Sequence, residues 1–239
     1  MIRTIIWFIY FWVCLVGLLP VLFKAKRLDR TGCITERDAL VAKSVRNWAQ
    51  SLVRLAGGTI VVSGEENVPK DSAVVFVSNH QGNFDIPILL GYINKPKAFI
   101  SKIEVLKMPL IRSWMRLMQC AFMDRKDIRQ SLRTINEAAE SIKKGYSMVI
   151  FPEGTRSKGR KMGDFKAGSF KLAMKAGVSI IPVTMDGSWQ LLEDKGYMKP
   201  GTVHVTVHEA IPTAGLSREE AEALPEKVKA VIEGGLKGQ

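Results

Sequence analysis

His80 and Asp85 stand five positions apart in Asn79-His80-Gln81-Gly82-Asn83-Phe84-Asp85, and about seventy residues on the chain runs Phe151-Pro152-Glu153-Gly154-Thr155-Arg156-Ser157. An imidazole can take a proton near neutral pH, and a carboxylate beside it fixes the tautomer and stabilises the imidazolium. A separation of five does not place two side chains on one helical face. A turn has to fold the aspartate back beneath the ring, and Gly82 gives that turn its freedom. The competing reading is that Asp85 only caps a helix. In the second segment Gly154 lets backbone approach a ligand, while Arg156 offers a planar fork for phosphate oxygens. Thr155 and Ser157 add hydroxyls, and Lys158, Arg160, Lys161 and Lys166 extend the positive field, unless the later lysines merely solvate a loop. A base with an orienting acid, joined to an anion grip, points to transfer chemistry on a phosphate-bearing alcohol.

Such residues need a scaffold. Ala73–Ser78 is a β-branched run that leads straight into Asn79-His80, so the histidine sits at the carboxyl end of a buried strand, where open α/β sheets place ligands. Further strands are expected at 59–62, 98–101, 121–123, 148–151 and 178–183. Val203, Val205 and Val207 alternate with His204, Thr206 and His208 on a half-exposed strand. Helices are expected at 86–92, 105–117 and 216–232, and Ile128, Leu132, Ile135, Ala139 and Ile142 mark another. Strands interleaved with helices mean an α/β layered fold, a mixed central sheet flanked by helices.

The amino-terminal region is different. Residues 5–23 form a nearly continuous apolar run, IIWFIYFWVCLVGLLPVLF, just long enough to span a bilayer as a helix. Lys24, Lys26, Arg27 and Arg30 follow at once, which places that end at the cytoplasmic face of the cell membrane. Pro20 leaves a kinked or half-inserted helix as the alternative. Val41, Val45, Trp48, Leu52 and Leu55 then recur at helical spacing, on a helix that either packs on the core or lies among lipid headgroups. Gly57-Gly58 ends it. The expected division is a membrane-anchoring helical segment over 1–57 and a catalytic domain over 58–239.

The 239 residues carry a net charge of +12, with basic residues concentrated in 1–57, 95–129 and 153–175. That balance favours anionic partners, above all anionic membrane lipids. No nucleic-acid recognition motif is present, so nucleic acid is not expected as a partner. Cys14, Cys33 and Cys120 suggest neither a disulfide framework nor a metal site. His204 and His208, four apart on a strand, lie roughly 13 Å apart, too far to share a metal. No G-x-S-x-G occurs, and Gly154–Lys161 only loosely echoes a phosphate-binding loop. Neither a metal nor a cofactor is expected.

Over residues 58–210 the chain resembles the glycerolipid acyltransferases, the PlsC-type 1-acylglycerol-3-phosphate acyltransferase family. His80 and Asp85 match that family's H-x4-D block, and Phe122-Met123-Asp124-Arg125 looks like its second block. Phe151–Ser157 is similar to its third, and Ile180-Ile181-Pro182-Val183 to its fourth. Gln119 departs from the glycine that commonly opens the second block, which puts the local backbone shape in question. The resemblance implies that His80 and Asp85 are catalytic. It implies that Arg125, Glu153, Gly154, Thr155 and Arg156, with Lys102 supporting, hold lysophosphatidic acid. The acyl donor would be acyl-CoA or acyl-carrier protein, with direct transfer and no metal. Two alternatives stay open: a different acceptor such as glycerol-3-phosphate or another lysophospholipid, and a non-catalytic membrane protein that binds anionic lipid.

Overall fold

The computed structural model of the chain describes residues 1–236; the last three residues of the 58–239 expectation lie outside the described residues. Seven strands form one sheet: β1 (Gly58–Ser63), β2 (Val75–Ser78), β3 (Lys97–Lys102), β4 (Ala121–Met123), β5 (Ser147–Ile150), β6 (Ile180–Asp186) and β7 (Gly201–Val207). Their spatial order is β1-β7-β6-β2-β5-β3-β4. Only the β6–β7 pair is antiparallel. The expectation of a mixed α/β sheet is therefore met.

Burial explains where each strand lies. Every residue of β2, β5 and β6 is buried, as continuous apolar strands in the middle of a parallel sheet must be. In β7 the valines Val203, Val205 and Val207 point inward while the residues between them are partly exposed. Parallel neighbours β2 and β5 run Val75↔Met148 to Val77↔Ile150. Their carboxyl ends thus lie side by side, and the two loops singled out from the sequence leave the sheet at one edge.

The flanking helices are α1 (Ile2–Gly17), α2 (Leu19–Arg30), α3 (Ile34–Ala56), α4 (Asp85–Tyr92), α5 (Pro109–Leu117), α6 (Ile128–Lys143), α7 (Lys171–Ala176) and α8 (Arg218–Gly234). Helix α8 starts with a capping box between Ser217 and Glu220 and buries Leu224, Val228 and Ile232. Helix α7 was not anticipated from the sequence. The helix expected over 105–117 is split into a 3-10 turn, Ile103–Lys107, and α5, because the fixed φ of Pro109 suits a first helical position.

The apolar run of 5–23 is not one helix. It breaks at Leu18 into α1 and α2, which are bent by 44°. Pro20 has no N–H and would clash with the carbonyl four residues earlier, so it sits in the first turn of α2 instead. No single helix among the described residues is long and apolar enough to cross a membrane, although this bent pair is so by length and composition.

One face of α1 packs inward. The Trp7 indole donates to the Leu52 carbonyl at 2.8 Å, and its ring meets Phe11 and Phe84. The other face leaves Ile2, Ile5, Ile6, Ile9, Val13 and Val16 exposed. Helix α3 buries Val41, Val45, Leu52 and Val53 in the protein, so the core-packing alternative holds for it. Trp48 is half-buried against Phe11 rather than turned outward. Buried Arg37 binds Asp29, Asp38 and, at 2.8 Å, the Tyr146 hydroxyl, which pins α2 and α3 to the approach of β5.

Lys97 caps the other end of the helix that carries Asp85. Its amine is buried and donates to the carbonyls of Leu89 at 2.8 Å and Ile93 at 2.9 Å. Burial pushes it down from 10.5 to about 7. A neutral amine still has protons for both carbonyls. The folded chain then binds fewer protons than the unfolded chain between pH 7 and 10.5, so this group makes stability rise as pH climbs through that window. Chemical denaturation across the window should follow that rise in the wild type, with a slope of at most about 1.4 kcal/mol per pH unit. Lys97→Met should flatten it.

Candidate active site

His80 leaves β2 at its carboxyl end, and its ring stacks on Phe151 from the end of β5, with centroids 4.1 Å apart and planes at 17°. Imidazole Nδ1 lies 2.7 Å from Asp85 Oδ2. That carboxylate oxygen also accepts from the Gly82 N–H at 2.9 Å. Asp85 is the first residue of α4, so the helix N-terminus favours its negative charge. The capping alternative fails: the Asp85 carboxylate is met by His80, the Gly82 N–H and the Ser188 hydroxyl, and by no N–H of α4 among the described residues. His80 is 14% exposed and Asp85 0%. One imidazole nitrogen is thus committed, and the other is the one available to a ligand.

The two catalytic-edge loops are joined directly. Ser157 N–H donates to the His80 carbonyl at 2.8 Å, and Lys158 N–H to that of Gln81 at 3.1 Å. Glu153 does the rest. Its carboxylate accepts from the backbone N–H of His80 at 2.7 Å and of Gly163 at 2.8 Å. Burial raises its pKa, and those two donors partly offset the effect. Glu153 is buried and absent from the cavity wall, so it braces the histidine backbone rather than facing a ligand.

A cavity of about 960 Å³ opens at His80. Its apolar wall includes Trp7, Phe11, Leu15, Trp48, Leu52, Trp114 and Met118, from α1, α3, α5 and their surroundings. Its polar portion includes Lys102, Arg125, Thr155, Arg156 and Lys166. A large apolar volume with a few convergent cations beside a held histidine suits an amphiphilic, anionic ligand. Gly154 adopts φ +71 and also lines this cavity, and its carbonyl accepts from the Arg125 guanidinium. The second and third sequence blocks therefore meet at that hydrogen bond. Arg156 Nη1 lies 3.5 Å from Glu193 Oε1.

Several partners were not foreseen. Asn79 brackets Met185, donating to its carbonyl and accepting from its N–H, each at 2.8 Å. Gln81 accepts from the Gly187 N–H at 2.9 Å, and Ser188 donates to Asp85 Oδ1. Glu193 accepts from Asn83 N–H at 2.7 Å, and burial raises its pKa. The only advance signal was the polar cluster after β6, which resembles an ordinary turn. His208 lies just past β7, half-buried, with Nε2 2.8 Å from Thr184 Oγ1, so it falls outside the strand expected to carry it. Among the described residues no group of three or more His, Cys, Asp or Glu side chains is arranged to hold a metal ion.

A family model described as Acyltransferase matches residues 59–186. The 1-acyl-sn-glycerol-3-phosphate acyltransferase of Borreliella burgdorferi is 34% identical over 171 residues, covering 71% of this chain and 68% of that protein. The chloroplastic 1-acyl-sn-glycerol-3-phosphate acyltransferase of Arabidopsis thaliana is 38% identical over 155 residues. The chain spans 43% of the length of that plant relative and 47% of one from Chlamydomonas reinhardtii. Among solved structures, the 1-acyl-sn-glycerophosphate acyltransferase PlsC of Thermotoga maritima aligns with TM-score 0.82 and 31% identity, over 98% of this chain and 95% of that one.

Gln119 keeps the backbone shape that glycine would give: its φ is +63. Left-handed geometry costs a non-glycine residue about 1–2 kcal/mol, and glycine loses part of that gain in unfolded-state entropy. Gln119→Gly should raise stability by up to about 1 kcal/mol, read by denaturant titration.

Proposed function

The chain belongs to the acyltransferase family, and from that premise we propose that it is a membrane-associated O-acyltransferase. It moves a fatty acyl group from a thioester to the sn-2 hydroxyl of 1-acylglycerol-3-phosphate, giving phosphatidic acid. The observation that carries this reading is the placement of His80, tied through Nδ1 to Asp85, on the wall of a largely apolar cavity that Lys102, Arg125, Arg156 and Lys166 also line.

In this reading the acceptor phosphate lies among Arg156, Arg125, Lys102 and Lys166, all on the cavity wall. The acceptor's sn-2 hydroxyl gives a proton to the other imidazole nitrogen while its oxygen attacks the thioester carbonyl. Asp85 stabilises the imidazolium. Collapse of the tetrahedral intermediate forms the ester and expels the thiolate, which takes the proton back from the ring. Glu153 and the stacked Phe151 hold the ring against the recoil of these steps. The apolar wall gives an acyl chain a place out of water. Acyl-CoA and acyl-carrier protein are both suitable donors, since both present a thioester at the end of a long arm.

The exposed apolar stripe of α1 and the basic end of α2 (Lys24, Lys26, Arg27, Arg30) support attachment to anionic membrane lipids. The basic end favours attachment at the cytoplasmic face.

Transfer of labelled acyl groups to 1-acylglycerol-3-phosphate, in competition with glycerol-3-phosphate and other lysophospholipids, tests the reading. His80→Ala should lose about 10²–10⁴-fold in rate with the fold intact. Wild-type turnover in that variant removes the base from the mechanism, and preference for another acceptor replaces the substrate. Deleting residues 1–30 should release the protein from vesicles or make it insoluble. A soluble and equally active truncation contradicts the anchor.

A further inference from the structure

We propose that Ser188 is a positioning residue for the transfer reaction, holding the Asp85 carboxylate in the orientation that His80 requires. This rests on the acyltransferase reading of the His80–Asp85 pair.

Asp85 is fully buried, and its two oxygens have different partners. Oδ2 receives the imidazole at 2.7 Å and the Gly82 N–H at 2.9 Å. Oδ1 is met by the Ser188 hydroxyl. That hydroxyl has a single proton and a second acceptor within range, Gln81 Oε1 at 3.4 Å. Gln81 Oε1 already accepts from the Gly187 N–H at 2.9 Å. The closer, anionic oxygen of Asp85 therefore takes the proton.

The chain is shaped to put the hydroxyl there. Ser188 is itself fully buried, directly after β6. Gly187 makes the turn with φ +100, and a Cβ there would come within 2.8 Å of the Thr202 carbonyl. Asn79 and Gln81, on either side of His80, tie the same stretch to the catalytic loop through Met185 and Gly187. The serine thus holds the carboxylate oxygen that the histidine does not use, which fixes rotation of the carboxylate.

Donation to Oδ1 also draws negative charge away from Oδ2. Without it the dyad as a whole binds a proton more tightly. Other charged groups around this loop are Glu153, on the His80 N–H, Glu193, on the Asn83 N–H beside Arg156, and the buried Asp186, beside Arg160 and just ahead of Ser188; a Ser188 variant leaves them in place.

The experiment compares Ser188→Ala and Ser188→Thr with the full-length wild type, using acyl-CoA and 1-acylglycerol-3-phosphate in detergent. A hydrogen bond to a charged group at this strength predicts a fall in kcat of about 10-fold for Ser188→Ala. The acceptor KM should stay within about two-fold, because only the reacting geometry changes. The acid limb of the kcat/KM profile should move to higher pH, and Ser188→Thr, which keeps the hydroxyl, should leave that limb where it is. Should Ser188→Ala melt below the assay temperature, Ser188→Cys, a weak donor of similar size, is read the same way. Unchanged kcat and an unmoved acid limb in a folded variant overturn the proposal. So does a loss of kcat that Ser188→Thr shares without any shift of the limb. A wild type inactive with acyl-CoA and with acyl-carrier-protein donors alike would instead remove the acyltransferase reading beneath it.

Discussion

A fully buried carboxylate must find its hydrogen bonds inside the protein, and Asp85 is such a group. Leaving one of its oxygens without a donor costs about 1–3 kcal/mol. Three donors from separate places answer that need: the imidazole at the end of β2, the Gly82 N–H in the turn, and the Ser188 hydroxyl beyond β6. Much of the surrounding architecture serves to bring those three together. The parallel register of β2 with β5 and β6 puts the contributing loops at one edge, and Lys97 and the helix N-terminus fix α4 at its two ends.

The same requirement explains Glu153. A loop carrying a proton acceptor gains nothing if its backbone wanders by an ångström. Glu153 ties the His80 N–H to the Gly163 N–H, so the loop after β5 and the histidine loop are bonded to each other. Arg125 closes the assembly by donating to the Gly154 carbonyl. Arg125 and the Gly154 turn are thereby held together on the cavity wall. The apolar helices α1 and α3 wall the remainder, so one volume offers both an apolar surface and a cationic one.

The sequence disclosed the parts that depend on local pattern. Apolar runs gave β2, β5 and β6, and Ala121–Met123 has the expected bounds. His80, Asp85 and Arg156 were legible because their residue types have few other uses after a buried strand or in a glycine turn, whereas Arg125 was reached only through the family resemblance. What escaped depended on long-range packing. Ser188 and Glu193 reach the site from more than a hundred residues away, and their surroundings look like a common turn. Glu153 was visible but its role was not, since a carboxylate beside an arginine suggests a ligand rather than a backbone brace. The break at Leu18 was only half legible: Pro20 announced a disturbance but not a 44° bend.

The central claim is that His80 acts as a base on an acceptor hydroxyl. Thiol release from a long-chain acyl-CoA, with and without 1-acylglycerol-3-phosphate in bilayers, tests it most directly. The account predicts release only when acceptor is present, one thiol for each ester formed. Release at the same rate without acceptor would contradict it and point to hydrolysis of the thioester by water.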